Sequence, residues 1–459
     1  MNKIRAIELF AGYGSQQLAL KRLKHDYPDF DYEVVAYCEI DKHAITAYKA
    51  LHGDHITNLG DVSKVDWAEW HRRHPQPVDL LTYSSPCQDF SSAGLQRGGE
   101  EGSGTRSGLL WETERAVSEL RPRHLVFENV GGLVSGKFID LFQRWQVRLN
   151  GYGYTNFAQL MNAKDYGVPQ NRLRIFMVSI LDCPRAYYFP QPFRLERRLK
   201  DVLEQNVAER YYLSDERVAK LMQETAIHSD RGNGFAFRPH TPEEIASTVE
   251  CSGIGDKTDN FVVEPCIYNR PHGYFGGDIN KEYSPAIAAT EAMVHKWVIE
   301  PTIYGLPHGY YEGDLYTDCA PAVKSSAYAA NNPLIIPQAT KEGYAVVPEG
   351  GVFDASYPDS KTRRGRVQEG GTVSPTIMAS QNELLRYEGI RIRRLTEREL
   401  YRLMDVDEKD IDTLLAAPIP RTQHAKLAGN SIVVACLYYI FRNLFVDTEP
   451  AAGTQTKLF

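Results

Sequence analysis

The sequence holds no CxxC pair, and its 7 cysteines lie scattered at positions 38, 87, 183, 251, 266, 319 and 436. Zinc fingers and ribbons need closely spaced thiolate pairs, so no metal site is expected. An odd, dispersed count also excludes a disulfide framework and points to reduced thiols in a cytosolic setting. An apolar leader is missing too: "MNKIRAIELFAG" runs straight into a strand-like stretch, and no run approaches membrane-spanning length. A soluble, cytoplasmic protein without a membrane partner is the expectation. Nor is there net basic charge. Lys+Arg 52 against Asp+Glu 59 leaves −7, so any nucleic acid would have to be held by a local patch.

What the chain does have is globular composition: 459 residues, 42% hydrophobic and 24% charged, enough for two or three packed domains. Up to about residue 180, short apolar runs alternate with helix-like stretches. "AIEL" (from Ala6), "EVVAYCE" (from Glu33), "VDLLTYS" (from Val78), "HLVFEN" (from His124) and "RLRIFMVSI" (from Arg172) read as buried strands. Helices are expected over 15–24, 41–51, 109–120 and 139–149. Alternation of this kind predicts an α/β fold with a doubly wound sheet.

From about 190 to 390 glycine, proline, tyrosine and asparagine rise. "PHGYFGGD" at Pro271 returns as "PHGYYEGD" at Pro307, 36 residues on, with looser echoes at Ser374 and Ala246. Tandem units of this size with short β runs suggest a second, β-rich domain of hairpin modules. The chain turns helical again at "LTERELYRLM" and ends with "AGNSIVVACLYYIFRNLF", read as one apolar helix that packs back on the N-terminal sheet. The first domain would then be discontinuous, 1–190 plus 424–459, with 191–423 forming the second domain and a hinge.

"ELFAGYGS" reads as a strand, a glycine turn and a helix start, an arrangement that serves either a nucleotide-like ligand or a plain tight turn. Glu39 ends the second strand, where a carboxylate can hold ribose hydroxyls. Asp61 in "GDV" stands at the end of a third strand or caps a helix. Cys87, in "YSSPCQDFSSAG", follows a strand at the edge where α/β sheets bind ligands; it reads as an exposed nucleophile or as a small buried hydrophobe. Glu128 in "FENV" comes to the same edge. A thiol with a carboxyl suits conjugate addition to a heteroaromatic ring, the thiolate attacking carbon while the acid serves a ring nitrogen. In "QNRLR" Arg172 and Arg174 are spaced to share one strand face and hold a carbonyl, carboxylate or phosphate, unless that face is simply exposed.

In order, "FAGYGS", "CEIDKHA", "GDV", "PCQDFS", "ENV", "QNRLR", "RRLTEREL" and "AGNSI" resemble the motif set of DNA (cytosine-5) methyltransferases of the bacterial and phage type. The resemblance implies a Rossmann-like methyltransferase sheet as catalytic domain and a β-rich target-recognition domain. It further implies S-adenosylmethionine as donor, S-adenosylhomocysteine as product, double-stranded DNA as partner and no metal. By motif, Cys87 would attack carbon 6 of cytosine, Glu128 would engage ring nitrogen 3, Arg174 the carbonyl, and Arg172 would support the catalytic loop or adjacent groups. Phe10, Gly12, Gly14, Glu39, Ile40, Asp61, Val62, Pro86, Asn430 and Ser431 would line the donor pocket. Two departures stand out: Gly14 is followed by Ser15 where a second glycine is usual, and the long recognition region carries the repeat.

Cytosine chemistry of this kind requires the base to leave the helix, and "GLQRGGEEGSGTRSG" (from Gly94) suits a covering loop. "KTRRGR" (from Lys361) reads as a phosphate contact or a solvated surface run. A monomer is expected, with room for a cognate restriction endonuclease acting separately. Two other readings of the chain are a tRNA cytosine methyltransferase on the same core and a catalytically silent DNA-binding relative.

Overall fold

The computed structural model describes residues 3–85, 109–183, 186–205, 207–214, 217–218, 220–221, 239–240, 242, 244–250, 260–269, 334–337, 344–347, 352–354 and 384–447. Pro86, Cys87, the loop from Gly94, both "PHGY" copies and the run from Lys361 lie outside the described residues.

Two compact units emerge: Met1–Arg197, Ala246–Thr258 and Glu397–Phe459 form the first, and Arg198–Ile245 with Asp259–Thr396 the second. The return from the insert, expected at 424, therefore comes at Glu397, and a short strap from Ala246 joins the first unit as well. Burial explains both. Leu400, Tyr401, Leu403 and Met404 are core residues, and Ala246 and Val249 are fully enclosed.

The first unit is built on the strands β1 (Ile4–Leu9), β2 (Tyr32–Cys38), β3 (Thr57–Asn58), β4 (Leu80–Tyr83), β5 (His124–Val130), β6 (Tyr154–Asn162) and β7 (Leu173–Leu181). They form a 7-stranded sheet in the order β3-β2-β1-β4-β5-β7-β6. β1 pairs in parallel with both β2 and β4, whereas β7 runs antiparallel to β5 and β6. The chain reverses direction of growth at β1, which creates the crevice where ligands of such sheets sit. The central strands are buried on both faces, as their unbroken apolar runs require. β6 escapes that signature because Thr155, Asn156 and Gln159 keep an edge strand partly in water.

Helices α1 (Ser15–Asp26), α2 (Lys42–His52), α3 (Trp67–Arg73), α4 (Leu110–Leu120) and α5 (Ile139–Gly151) connect the strands. After the insert come α6 (Glu397–Arg402), α7 (Glu408–Ala416), α8 (Arg421–Gly429) and α9 (Val434–Phe445). The single terminal helix expected from Ala428 is thus interrupted: Asn430 and Ser431 lie in the turn between α8 and α9. α9 returns to the first unit and packs against α1, with Phe445 5.8 Å from Phe30 ring to ring and the Tyr438 hydroxyl 2.8 Å from Asp26. By length and hydropathy Arg421–Phe445 alone among the described residues could cross a membrane, yet 67% of its apolar window is buried within the protein, as in a core helix.

In the second unit, β8 (Phe261–Asn269), β11 (Val352–Asp354) and β12 (Leu384–Arg394) make a 3-stranded antiparallel sheet in the order β11-β12-β8. β9 (Leu334–Pro337) and β10 (Tyr344–Val347) pair as an antiparallel ribbon. A small core of Leu213, Leu221, Phe261, Val263 and Ile392 holds it. The weak repeat echo at Ala246 is no part of it. That residue pairs with Gln170 in the first unit.

Candidate active site

The loop after β1 is strained by design of its sequence: Phe10 (φ 55), Gly12 (φ 59) and Gly14 (φ 82) are all left-handed. At Gly14 a Cβ would stand 2.4 Å from His52 Nε2 and 2.8 Å from Tyr48 Cε2, so only glycine fits. A Cβ on Gly12 would meet nothing within 4 Å; its backbone borders open space. His52, enclosed and lowered to about 4 by burial, stays neutral and contacts the Tyr13 carbonyl at 3.1 Å.

Glu39 locks that loop to the next one. Its Oε2 accepts the Gly12 amide at 2.9 Å, and its Oε1 accepts the amides of Ile40 and Asp41 at 2.7 and 2.8 Å. Asp41 in turn caps α2 through His43 and Ala44 and receives Lys426 of α8 at 2.5 Å. Ile40 is 71% exposed, an apolar platform at the rim of the crevice. Asp61 does not end a strand: β3 stops at Asn58, and Asp61 caps a 3-10 turn, Val62–Lys64, through the Ser63 amide and hydroxyl. Val62 is buried beneath it.

Along the sheet, Glu128 sits on β5, 6% exposed. Its Oε1 lies 3.3 Å from Arg174 Nε, and its Oε2 accepts the Ser84 hydroxyl at 2.6 Å. Antiparallel pairing sets Arg174 opposite Val130, so β7 delivers the guanidinium to the end of β5. Next to Glu128, Asn129 donates through Nδ2 to the Ser85 carbonyl at 3.1 Å. Adjacent residues of β5 thus grip adjacent residues beyond β4. Sequence reasoning passed over Ser84, Ser85 and Asn129, although the "SSPC" and "ENV" stretches held all three.

The arginines expected to share a face take different partners. Arg172 is buried, 4% exposed, and donates through Nη1 to the Val249 carbonyl at 2.9 Å and through Nη2 to the carbonyls of Gly429 and Ser431 at 2.9 and 2.6 Å. Gln170 helps, giving Nε2 to the Leu403 carbonyl at 2.6 Å and accepting the Val249 amide at 3.0 Å. "QNR" is therefore a clamp joining the strap, the turn that follows α6 and the Asn430–Ser431 turn. Burial pushes the Tyr13 hydroxyl of the first loop up to about 12.

Among the described residues, Cys38 and Cys436 are buried thiols rather than exposed nucleophiles. Burial pushes Cys38 up to about 12 and holds Cys436 high as well. Among the described residues no His, Cys, Asp and Glu gather in a way that could hold a metal ion.

Residues 4–446 match the family of C-5 cytosine-specific DNA methylases. The chain is 30% identical over 513 residues to the orphan methyltransferase M.Rho11sI of Bacillus phage rho11s, covering 97% of this chain and 98% of that one. It is 33% identical over 268 residues to the type II methyltransferase M2.ScrFI of Lactococcus lactis subsp. cremoris, covering 47% and 72%. Of solved structures, the Dnmt2 methyltransferase of S. pombe matches with a TM-score of 0.53 at 14% identity over 97% of this chain and 99% of that chain. The methyltransferase EhMeth of Entamoeba histolytica matches at 0.55 and 12%, over 98% and 100%. Such identities speak for the fold alone. A sequence match of nearly end-to-end extent, shared with a relative aligned over almost its whole length, makes this chain a member of the C-5 cytosine-specific DNA methylases.

Proposed function

We propose that this methyltransferase moves a methyl group from S-adenosylmethionine to carbon 5 of a cytosine turned out of a specific double-stranded DNA sequence, through a covalent adduct on Cys87. The observation that carries the reading is the buried Glu128 carboxyl held between Arg174 and Ser84 at the sheet edge. Cys87 follows Ser85 by two residues, and two residues of chain reach at most about 7 Å. Acid and nucleophile then serve one substrate ring. The Cys87 thiolate adds to carbon 6, Glu128 gives ring nitrogen 3 a proton, and carbon 5 becomes an enamine carbon that takes the methyl group, with S-adenosylhomocysteine as the product left behind. Loss of the carbon 5 proton to a base, return of the nitrogen 3 proton to Glu128 and departure of the thiolate restore the enzyme. Arg174 binds the cytosine carbonyl and keeps Glu128 oriented. Arg172 acts at a distance, by fixing the turn of Asn430 and Ser431.

The residues present fit the donor. Gly12 borders open space, Ile40 offers an apolar surface, and Asp61 stands at the rim with Val62 behind it. Oε2 of Glu39 accepts one bond among the described residues, which leaves a lone pair for a ribose hydroxyl. Phe10, Gly14, Pro86, Asn430 and Ser431 complete the reading of the pocket. When bound, S-adenosylmethionine supplies an electrophilic methyl group on a sulfonium. The first unit is then the catalytic domain and the second the target-recognition domain, in a monomer that acts apart from any cognate endonuclease.

Labelled donor offered with double-stranded DNA and, separately, with tRNA tests the proposal. Label in cytosine carbon 5 of DNA is expected. Label in tRNA alone, or in neither, overturns it.

A further inference from the structure

The contact of Ser84 with Glu128 is not explained by strand pairing. β4 ends at Tyr83, opposite Phe127 of β5, and there the sheet register stops. Beyond it, two side-chain bonds take over: Ser84 Oγ to Glu128 Oε2 at 2.6 Å, and Asn129 Nδ2 to the Ser85 carbonyl at 3.1 Å. Ser85, Glu128 and Asn129 are buried, at 2%, 6% and 2% exposure. A short hydroxyl bond to a carboxyl inside a protein is stronger than the same bond in water, and here it restrains the carboxyl about its terminal torsion, which is otherwise soft. Arg174 restrains the other oxygen from the opposite strand, at 3.3 Å.

We infer that Ser84 is a positioning residue for methyl transfer: it fixes the plane of the Glu128 carboxyl and, with Asn129, ties the acid to the segment that leads into Cys87. This rests on the reading of Glu128 as the group that serves the cytosine ring. Acid and nucleophile arrive from different strands, and catalysis by both at once demands placement within a fraction of an ångström. A latch whose halves belong to neighbouring residues on each side makes the two approach the base as one body. Arg174 alone cannot do this, because it comes from β7 and has no bond to the β4 side among the described residues.

The test compares wild type, Ser84→Ala, Ser84→Thr and Glu128→Gln in single-turnover methyl transfer with saturating donor and DNA. Binding constants for donor and DNA and melting temperatures are measured alongside. Ser84→Ala is expected to slow the chemical step by about tenfold or more with both binding constants within about twofold of wild type, and Ser84→Thr to recover much of the rate through its hydroxyl. Ser84→Cys, which keeps the volume and weakens the donor, serves if the alanine variant does not fold; it should fall on the slow side. A Ser84→Ala rate within about twofold of wild type, beside an inactive Glu128→Gln, overturns the role of Ser84 and leaves Glu128 standing. So does a loss seen only in the binding constants. A Glu128→Gln enzyme as fast as wild type removes the underlying reading, and this inference with it.

Discussion

Arg172 and Ser431 stand 259 positions apart in the chain, yet the guanidinium of one donates to the carbonyl of the other at 2.6 Å inside the protein. The same group holds Gly429 and Val249, so a single side chain satisfies three carbonyls, those of Val249 and Ser431 within the core. Arg172→Lys retains the charge but not the fork. It should cost roughly 2–3 kcal/mol in chemical denaturation and weaken donor binding about tenfold in calorimetry, because the turn of Asn430 and Ser431 is no longer fixed. Unchanged donor affinity would separate that turn from the pocket.

Two glycines of one loop should fail in different ways. Gly14→Ala pushes a Cβ into His52 and Tyr48 at a left-handed φ, a combination that should remove about 2–4 kcal/mol of stability. Gly12→Ala meets open space and should melt within about 1 kcal/mol of wild type while donor affinity drops. Melting curves with and without S-adenosylmethionine distinguish the two; equal losses of stability would contradict the packing described.

Glu8 is enclosed on β1, with Tyr48 donating to Oε2 at 2.8 Å and Oε1 without a hydrogen-bond partner among the described residues. Burial pushes its carboxyl from the ordinary 4.5 up to about 8, against the Tyr48 bond. The folded protein thus keeps a proton that the unfolded chain has released. This contribution to stability is whole below pH 4.5 and declines as pH rises towards 8, by at most roughly 1.4 kcal/mol per pH unit. Glu8→Gln should flatten the decline between those limits in denaturant titrations run at several pH values. The neutral histidines His52 and His124, both lowered to about 4, are shared by the two proteins and cancel in the comparison. Parallel pH profiles would show that Glu8 is charged in the fold.

Cys87→Ser should reduce methyl incorporation into DNA by at least about a thousandfold, as loss of a nucleophile does, while calorimetric binding of the donor stays near wild type. Substantial residual methylation would take Cys87 out of the reaction.

The sheet was largely legible because buried parallel strands advertise themselves: "AIEL", "EVVAYCE" and "HLVFEN" fall within a residue or two of β1, β2 and β5. β6 and α3 were not, the first because an edge strand carries polar residues, the second because 7 residues show too little periodicity. At the site, Glu39, Glu128 and Arg174 could be placed because strand ends carry their side chains to one edge. Arg172 could not. Its partners are main-chain carbonyls of residues 77 to 259 positions away, and carbonyls leave no mark in a sequence. Asn430 and Ser431 were misplaced onto a helix for a related reason: the break before α9 is held by Arg172 rather than by a local proline.

The strap bears on how such enzymes can be recombined. The chain leaves the first unit after Arg197, comes back for Ala246–Thr258, leaves again and returns at Glu397. A swap that exchanged everything from 198 to 396 at a single pair of junctions would also replace Ala246 and Val249, and set another chain's strap against Gln170 and Arg172. A chimera spliced at the four boundaries between the units keeps the host's own strap with its contacts to Gln170 and Arg172.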